Sequence, residues 1–182
     1  KRDEYWRYTD PATLTMVDPT PAALFHNDEG PLFADRERVK IVFVDGVFDA
    51  GKSDDLNAEG VEITLLSDAL NTDIHWAKEF YGTLEARGQV PVERPLAAMN
   101  TAFASQGVAI RATAQAVKPI NLIYLHEDRG SDAILHNLVK VDAGAEVTLL
   151  ETGPAAARFN KVLEVDVADG GTFHHVRAQG RD

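Results

Sequence analysis

Past Gly107 the chain is a succession of short apolar runs broken by glycine, proline and acidic turns, and this pattern restricts the fold more than any other feature. The runs are Val108 to Ala114, Ile120 to Leu125, Ile134 to Val141, Val147 to Glu151, Val162 to Val167 and Thr172 to Ala178. Runs of this length, rich in β-branched and aromatic residues and bounded by turn formers, read as strands. Strands in such a series build sandwiches, barrels or solenoids. A shift of 26 residues separates these options. It lays Val139, Val141, Gly144 and Val147 over Val165, Val167, Gly170 and Phe173, so a strand, a glycine turn and a second strand recur in order. Repeats of about 20 to 50 residues belong to stacked units, and the expectation is therefore a β-solenoid.

The first hundred residues read differently. Pro11, Pro19, Pro21 and Pro31 punctuate residues 1–38 and leave little room for regular structure. Val39 to Val44, the turn Asp45-Gly46 and Val47-Phe48 form a hairpin pattern, and Val61 to Leu66 is a further strand. Ile74, Ala77, Tyr81 and Leu84 then recur at helical spacing, with Asn71, Thr72 or Asp73 as N-cap and Gly88 past the end. A second helix starts at Pro95 and runs through Leu96, Met99 and Phe103 to about Ser105. The chain thus divides into a mixed α/β region, 1–106, and a strand-rich region, 107–182.

Eighteen Lys and Arg face 29 Asp and Glu, a net charge of −11, which argues against phosphate-backbone or anionic-lipid partners. Cysteine is absent, so thiolate chemistry and Cys-ligated metal are excluded within these residues. No apolar run approaches the roughly 20 residues that span a bilayer. Lys1-Arg2-Asp3-Glu4 is not followed by an apolar stretch, so no signal peptide is read and a cytoplasmic location is expected. With no initiator Met, and an end at Gln179-Gly180-Arg181-Asp182 directly after a strand-like run, the expectation is a fragment of a longer polypeptide.

Gly46-Val47-Phe48-Asp49-Ala50-Gly51-Lys52-Ser53 satisfies the phosphate-loop spacing G-x-x-x-x-G-K-[ST] and follows an apolar strand. That motif works when backbone N–H groups and the lysine cradle phosphates at the start of a helix. Here Asp54 to Gly60 is too short and too polar for the helix, and Asp49 places a carboxylate in the nest. Asn121 to Asp128, an apolar strand ending in acids, resembles a magnesium-binding partner of such a loop, and equally a buried strand that ends in a solvated turn.

His174 and His175 are adjacent on a strand, so they point to opposite faces and cannot chelate one ion. The repeat places His175 inward above Leu149, packed and hydrogen-bonded, and His174 outward beside Thr148. His126 and His136 sit near strand ends and read as packed residues too. Asp54-Asp55 and Glu127-Asp128 read as solvated loop acids, whereas Glu151, at the end of an apolar strand, is a candidate buried acid for which a charged strand terminus is the usual explanation. No G-x-S-x-G or other triad setting is present, so no catalytic, cofactor-binding or metal residue is assigned.

Several short motifs, in order, resemble the SufB/SufD scaffold proteins of iron-sulfur cluster assembly, the SufD branch in particular. They are Arg2-Asp3-Glu4-Tyr5-Trp6-Arg7-Tyr8-Thr9, Val42-Phe43-Val44-Asp45-Gly46-Val47-Phe48, Met99-Asn100-Thr101-Ala102-Phe103 with Gly107-Val108, Lys118-Pro119-Ile120, Glu151, Asn160 and Arg177-Ala178-Gln179. The resemblance implies a mainly β fold, a right-handed parallel β-helix core that starts at 107 after the mixed α/β region. It implies a non-catalytic scaffold that pairs with a SufB-like homologue, or with a second copy, and with a SufC-like ABC-type ATPase. The cluster is then carried transiently by the whole complex, ATP belongs to the partner, and cluster-assembly residues lie beyond residue 182. Two other readings remain: a P-loop enzyme using Gly46 to Ser53, and a carbohydrate-acting β-solenoid, which needs a groove of clustered acids.

Overall fold

Asp45 and Gly46 both take positive φ, 48° and 84°, and turn the chain back on itself so that Phe43 faces Phe48 and Val44 faces Val47. This is the expected two-residue hairpin, between β1 (Val39–Val44) and β2 (Val47–Phe48). The computed structural model describes residues 21–24, 32–72, 76–90, 93–153 and 156–178; the motif at 2–9, Pro11, Pro19, Pro31, Asp73, Ile74 and Gln179 lie outside them. After β3 (Val61–Leu65) come four short helices, α1 (Leu66–Asn71), α2 (Trp76–Phe80), α3 (Thr83–Arg87) and α4 (Pro95–Phe103). Then follow β4 (Val108–Ala112), β5 (Ile120–Leu125), β6 (Asp132–Val141), β7 (Glu146–Thr152), β8 (Arg158–Val167) and β9 (Thr172–Ala178).

The strands form two mixed sheets, ordered β2-β1-β5-β7-β9 and β3-β4-β6-β8. From β4 onward successive strands alternate between them, and every neighbour pair within β1-β5-β7-β9 and β4-β6-β8 is parallel. The 26-residue shift is the physical register: Val139 lies opposite Val165, Val141 opposite Val167 and Val147 opposite Phe173. The turn glycines stack in the same way, Gly144 and Gly170 sharing φ values of 72° and 73°. Ile41, Phe43, Ile110, Ile120, Leu122, Leu135, Val139 and Leu149 pack into one core that draws on both sheets. A smaller cluster, Leu66, Ala69 and Ala77 against Ala109 and Leu138, seats the helices on the four-stranded sheet.

The segment after the hairpin closes the free edge of β1. Val42 N–H donates to Ser53 Oγ and Lys40 N–H to Asp54 Oδ2, each at 2.9 Å, while Asp49 and Asp54 N–H return 2.9 Å bonds to the Val42 and Lys40 carbonyls. Four backbone groups that would otherwise invite another strand are satisfied locally.

The single helix expected from Asn71 past Leu84 is instead broken into pieces. Gly82 sits at φ 74° between α2 and α3, a conformation a helix interior does not hold, and a methyl group there would approach Thr101 Cγ2 to 2.7 Å. The β3 strand also stops one residue early, because Leu66 N–H turns to the Gly107 carbonyl and starts α1. At the other extreme, β6 and β8 begin earlier than their apolar runs, since pairing carries on through Asp132 and Arg158.

Gly107 has φ 140°, and a methyl group on it would sit 1.9 Å from the His136 carbonyl oxygen; at Gly144, φ 72°, nothing lies within 4 Å. Gly144→Ala should therefore cost only the backbone term, about 1–2 kcal/mol, in urea unfolding. Gly107→Ala adds a backbone clash and should lose more than about 3 kcal/mol or fail to fold. Equal losses at the two positions would contradict the register of β4 on β6.

Candidate functional site

The two loops that together suggested a nucleotide site do meet in space. Since β1 and β5 are parallel neighbours, the turns after them emerge at the same end, and Lys52 Nζ lies 3.5 Å from Glu127 Oε1. The nest itself is already filled. Asp49 Oδ1 accepts the Gly51 and Lys52 N–H groups at 2.9 and 3.0 Å, and Asp49 Oδ2 takes the Lys52 ammonium at 3.0 Å. The lysine pulls the Asp49 pKa below its ordinary value, chiefly through that side-chain hydrogen bond. The chain's own carboxylate stands where a phosphate would be cradled, Ser53 Oγ is spent on Val42 N–H, and residues 54–60 form no helix.

The other loop acids are likewise tied to the fold. Asp54 holds Lys40 at 3.1 Å, Asp45 accepts the Glu127 and Asp128 N–H groups, and Asp128 closes its own turn onto Gly130 N–H. His126 Nε2 lies 2.9 Å from the Asp128 carbonyl.

His136 is not at a strand end but in the middle of β6, wholly buried under the helices. Its Nε2 meets Glu164 Oε1 at 2.7 Å, and the Tyr81 ring covers it with centroids 4.3 Å apart. Glu164, which sequence reasoning passed over, also accepts the N–H groups of Gly82, Leu84 and Glu85 at 2.6, 2.8 and 3.0 Å. Burial pushes its pKa up, but the His136 bond and the backbone donors outweigh that and hold it below the ordinary carboxylate value. Nearby, Asn100 Nδ2 donates to the Leu135 and Asn160 carbonyls at 3.0 Å each, and Asn160 Nδ2 to Leu96 O at 2.9 Å. The helical cover is thus pinned to the sheet by polar contacts as well as by apolar ones.

The most unusual chemistry lies between the sheets. Glu151 is fully buried on the inner face of β7, so of its two readings the buried acid holds and the charged strand terminus does not. Lys161, inward on β8, donates to both of its carboxylate oxygens. A chain of longer contacts runs on from Asn137 Nδ2 to the Tyr124 hydroxyl, 3.4 Å, and from that hydroxyl to Glu151 Oε1, 3.5 Å. Two groups of β9 complete the cluster, His175 Nε2 at 3.7 Å and Arg177 Nε at 3.8 Å from the same carboxylate. Burial pulls the Lys161 ammonium below its ordinary pKa despite Glu151, and burial first, then Glu151, raises the Tyr124 phenol well above its own.

His175 does face inward, as the repeat demands, with Leu149 as its neighbour. Its side chain nevertheless keeps 31% exposure and stacks on Phe173 with no hydrogen bond to the described residues, whereas His174 points out with 58% exposure, beside Thr148. Lys161 and Arg177 were legible in principle. Carrying the 26-residue shift past His175 places Arg177 over Glu151, and carrying it back before Val139 places Lys161 over Leu135, inside the core.

Among the described residues no three His, Asp or Glu side chains converge on a metal position, and no helix is long and apolar enough to cross a membrane. No family model matches the chain, and no curated protein matches it.

Three measurements bear on these clusters. Lys161→Met strands the Glu151 charge and should cost about 3–5 kcal/mol in urea unfolding, while the double variant Glu151→Gln, Lys161→Met should recover more than half of it. For Glu164, a folded pKa below the unfolded one means stability that is present above pH 4.5 and lost as pH falls through the folded value. Glu164→Gln should consequently unfold more easily at pH 7 and show a flatter acid limb. Lys52→Ala should leave the urea midpoint unchanged, and neither it nor the parent should bind ATP with magnesium by calorimetry.

Proposed function

We propose that the chain is the N-terminal and early core portion of a SufD-like scaffold, a non-catalytic subunit of a SUF-type iron-sulfur cluster assembly complex working in the cytoplasm. In this reading the alternating parallel strands are the first coils of a right-handed parallel β-helix, and the helices after β3 decorate one face of it. The cluster is cargo of the assembled complex. ATP is used by a SufC-like ABC-type partner, and a SufB-like homologue completes the scaffold.

One observation carries the proposal: β6 on β8 and β7 on β9 stack in parallel over ten and seven register pairs, both at the same 26-residue spacing. Units stacked at one spacing bury a continuous core and present long regular faces, which is the geometry an assembly scaffold uses. Support also comes from the residues that carry the resemblance. Separated widely in sequence, they meet in pairs, Asn100 with Asn160 and Glu151 with Arg177.

Anaerobic affinity purification of the full-length gene product from its own cells, with mass spectrometry of stoichiometric co-eluting proteins, tests the proposal. An ABC-type ATPase and a homologous scaffold are expected. A stable monomer with no ATPase would sink it.

A further inference from the structure

We propose that the outward edge of β3 is a docking site for an extended peptide segment of a partner protein, one that alternates apolar and basic residues and adds to the four-stranded sheet as a further strand. The inference goes beyond the scaffold reading and does not depend on it.

The backbone register comes first. Gly60 O accepts Thr113 N–H at 3.0 Å and Leu66 N–H donates to Gly107 O at 2.9 Å, so the even-numbered residues of β3 face β4, while Ile63 and Leu65 turn their N–H groups the other way. Among the described residues no strand pairs with that side of β3. Ala58 O takes the Val61 N–H at 3.4 Å, and pairing between the incoming chain and β3 ends with that bridge. Beside it a cleft of about 480 Å³ runs along Ile63 and Thr64, with Leu56, Ala58, Glu59 and Glu62 in its walls. The outer edge of β1 differs, because Ser53 and Asp54 already occupy its donors.

The side chains around this edge select the occupant. Val61, Ile63 and Leu65 pack on the main core, as do Leu56 and Ala58, so every second residue of an added strand would lie beside Ile63 on an apolar face. The residues between would fall on the opposite face, beside Glu62 and Thr64. Glu59 and Glu62 are exposed, and no Lys or Arg lines the cleft among the described residues. Arg111 stands opposite Glu62 in the register, but its guanidinium is held by Asp142 at 2.9 Å. Basic residues of a partner would therefore meet two carboxylates. A second copy would bring the same glutamates to the edge, in a chain of net charge −11, and like charges on adjacent strands are unfavourable. Main-chain hydrogen bonds then supply affinity and the alternating side chains supply selection.

The isotope-labelled 182-residue chain, titrated with a short end-capped peptide alternating lysine and valine, should show saturable shifts of the Ile63 and Leu65 N–H resonances and slower hydrogen exchange at Ile63. A peptide alternating glutamate and valine should not bind. Ile63→Pro removes an outward donor without touching a bond to β4, and should weaken binding about tenfold or more. Glu59→Gln combined with Glu62→Gln should weaken it about threefold or more and flatten its salt dependence. Urea unfolding verifies the fold of each variant, and the glutamine pair carries the test if Ile63→Pro does not fold. The proposal is overturned by no saturable shift, by equal binding of the glutamate peptide, or by full affinity in a folded variant. Ile63 shifts on concentrating the free chain would overturn it in favour of a second copy, and an Ile63 N–H already protected in the free monomer would do so in favour of a segment of this chain.

Discussion

Two neighbouring parallel strands cannot be joined by a tight turn, and everything in this fold answers to that constraint. The chain leaves one sheet, adds a strand to the other and returns, so from β6 onward each strand rests on the one before last. Because β6 and β8 share a single spacing with β7 and β9, the side chains on the inner faces fall into ladders, Val139 on Val165 and Val147 on Phe173. A one-residue slip would send the apolar ladder outward and the polar one in. The turns are held to the same spacing, which is why glycine recurs at 144 and 170.

On the outer face of the four-stranded sheet the logic is different. The helices are short, between five and nine residues, and too small to be stable alone. Apolar contact between Leu66, Ala69, Ala77 and the sheet supplies attachment, while Glu164, His136, Asn100 and Asn160 supply position. Glu164 in particular takes three backbone donors at the start of α3, those of Gly82 just before it and of Leu84 and Glu85 in its first turn. Buried polar contacts are demanding in geometry, so they fix one docking pose where apolar packing alone would accept several.

Sequence periodicity made the strands, the hairpin and the repeat legible, because each depends on local residue type and a fixed spacing. It could not reveal the break at Gly82, whose left-handed conformation is anchored by Glu164, 82 positions further on. The repeat register places Lys161 inside the core over Leu135, but it does not say what the ammonium meets there. A lone lysine in an apolar run reads as a solvated face until its partner is known, and the partner, Glu151, is on the other sheet. The Walker-type spacing at Gly46 to Ser53 misleads for a related reason: the pattern records the glycines and the lysine but ignores Asp49, the anion that the loop has folded around.

That same loop gives the five-stranded sheet a border. With Ser53 and Asp54 spent on the backbone of β1, the flank beside β2 is closed, while β9 forms the opposite flank among the described residues. The six residues from Asp49 to Asp54 thus act as a selvage: they fold the chain back along β1 and finish that border of the sheet with its own side chains.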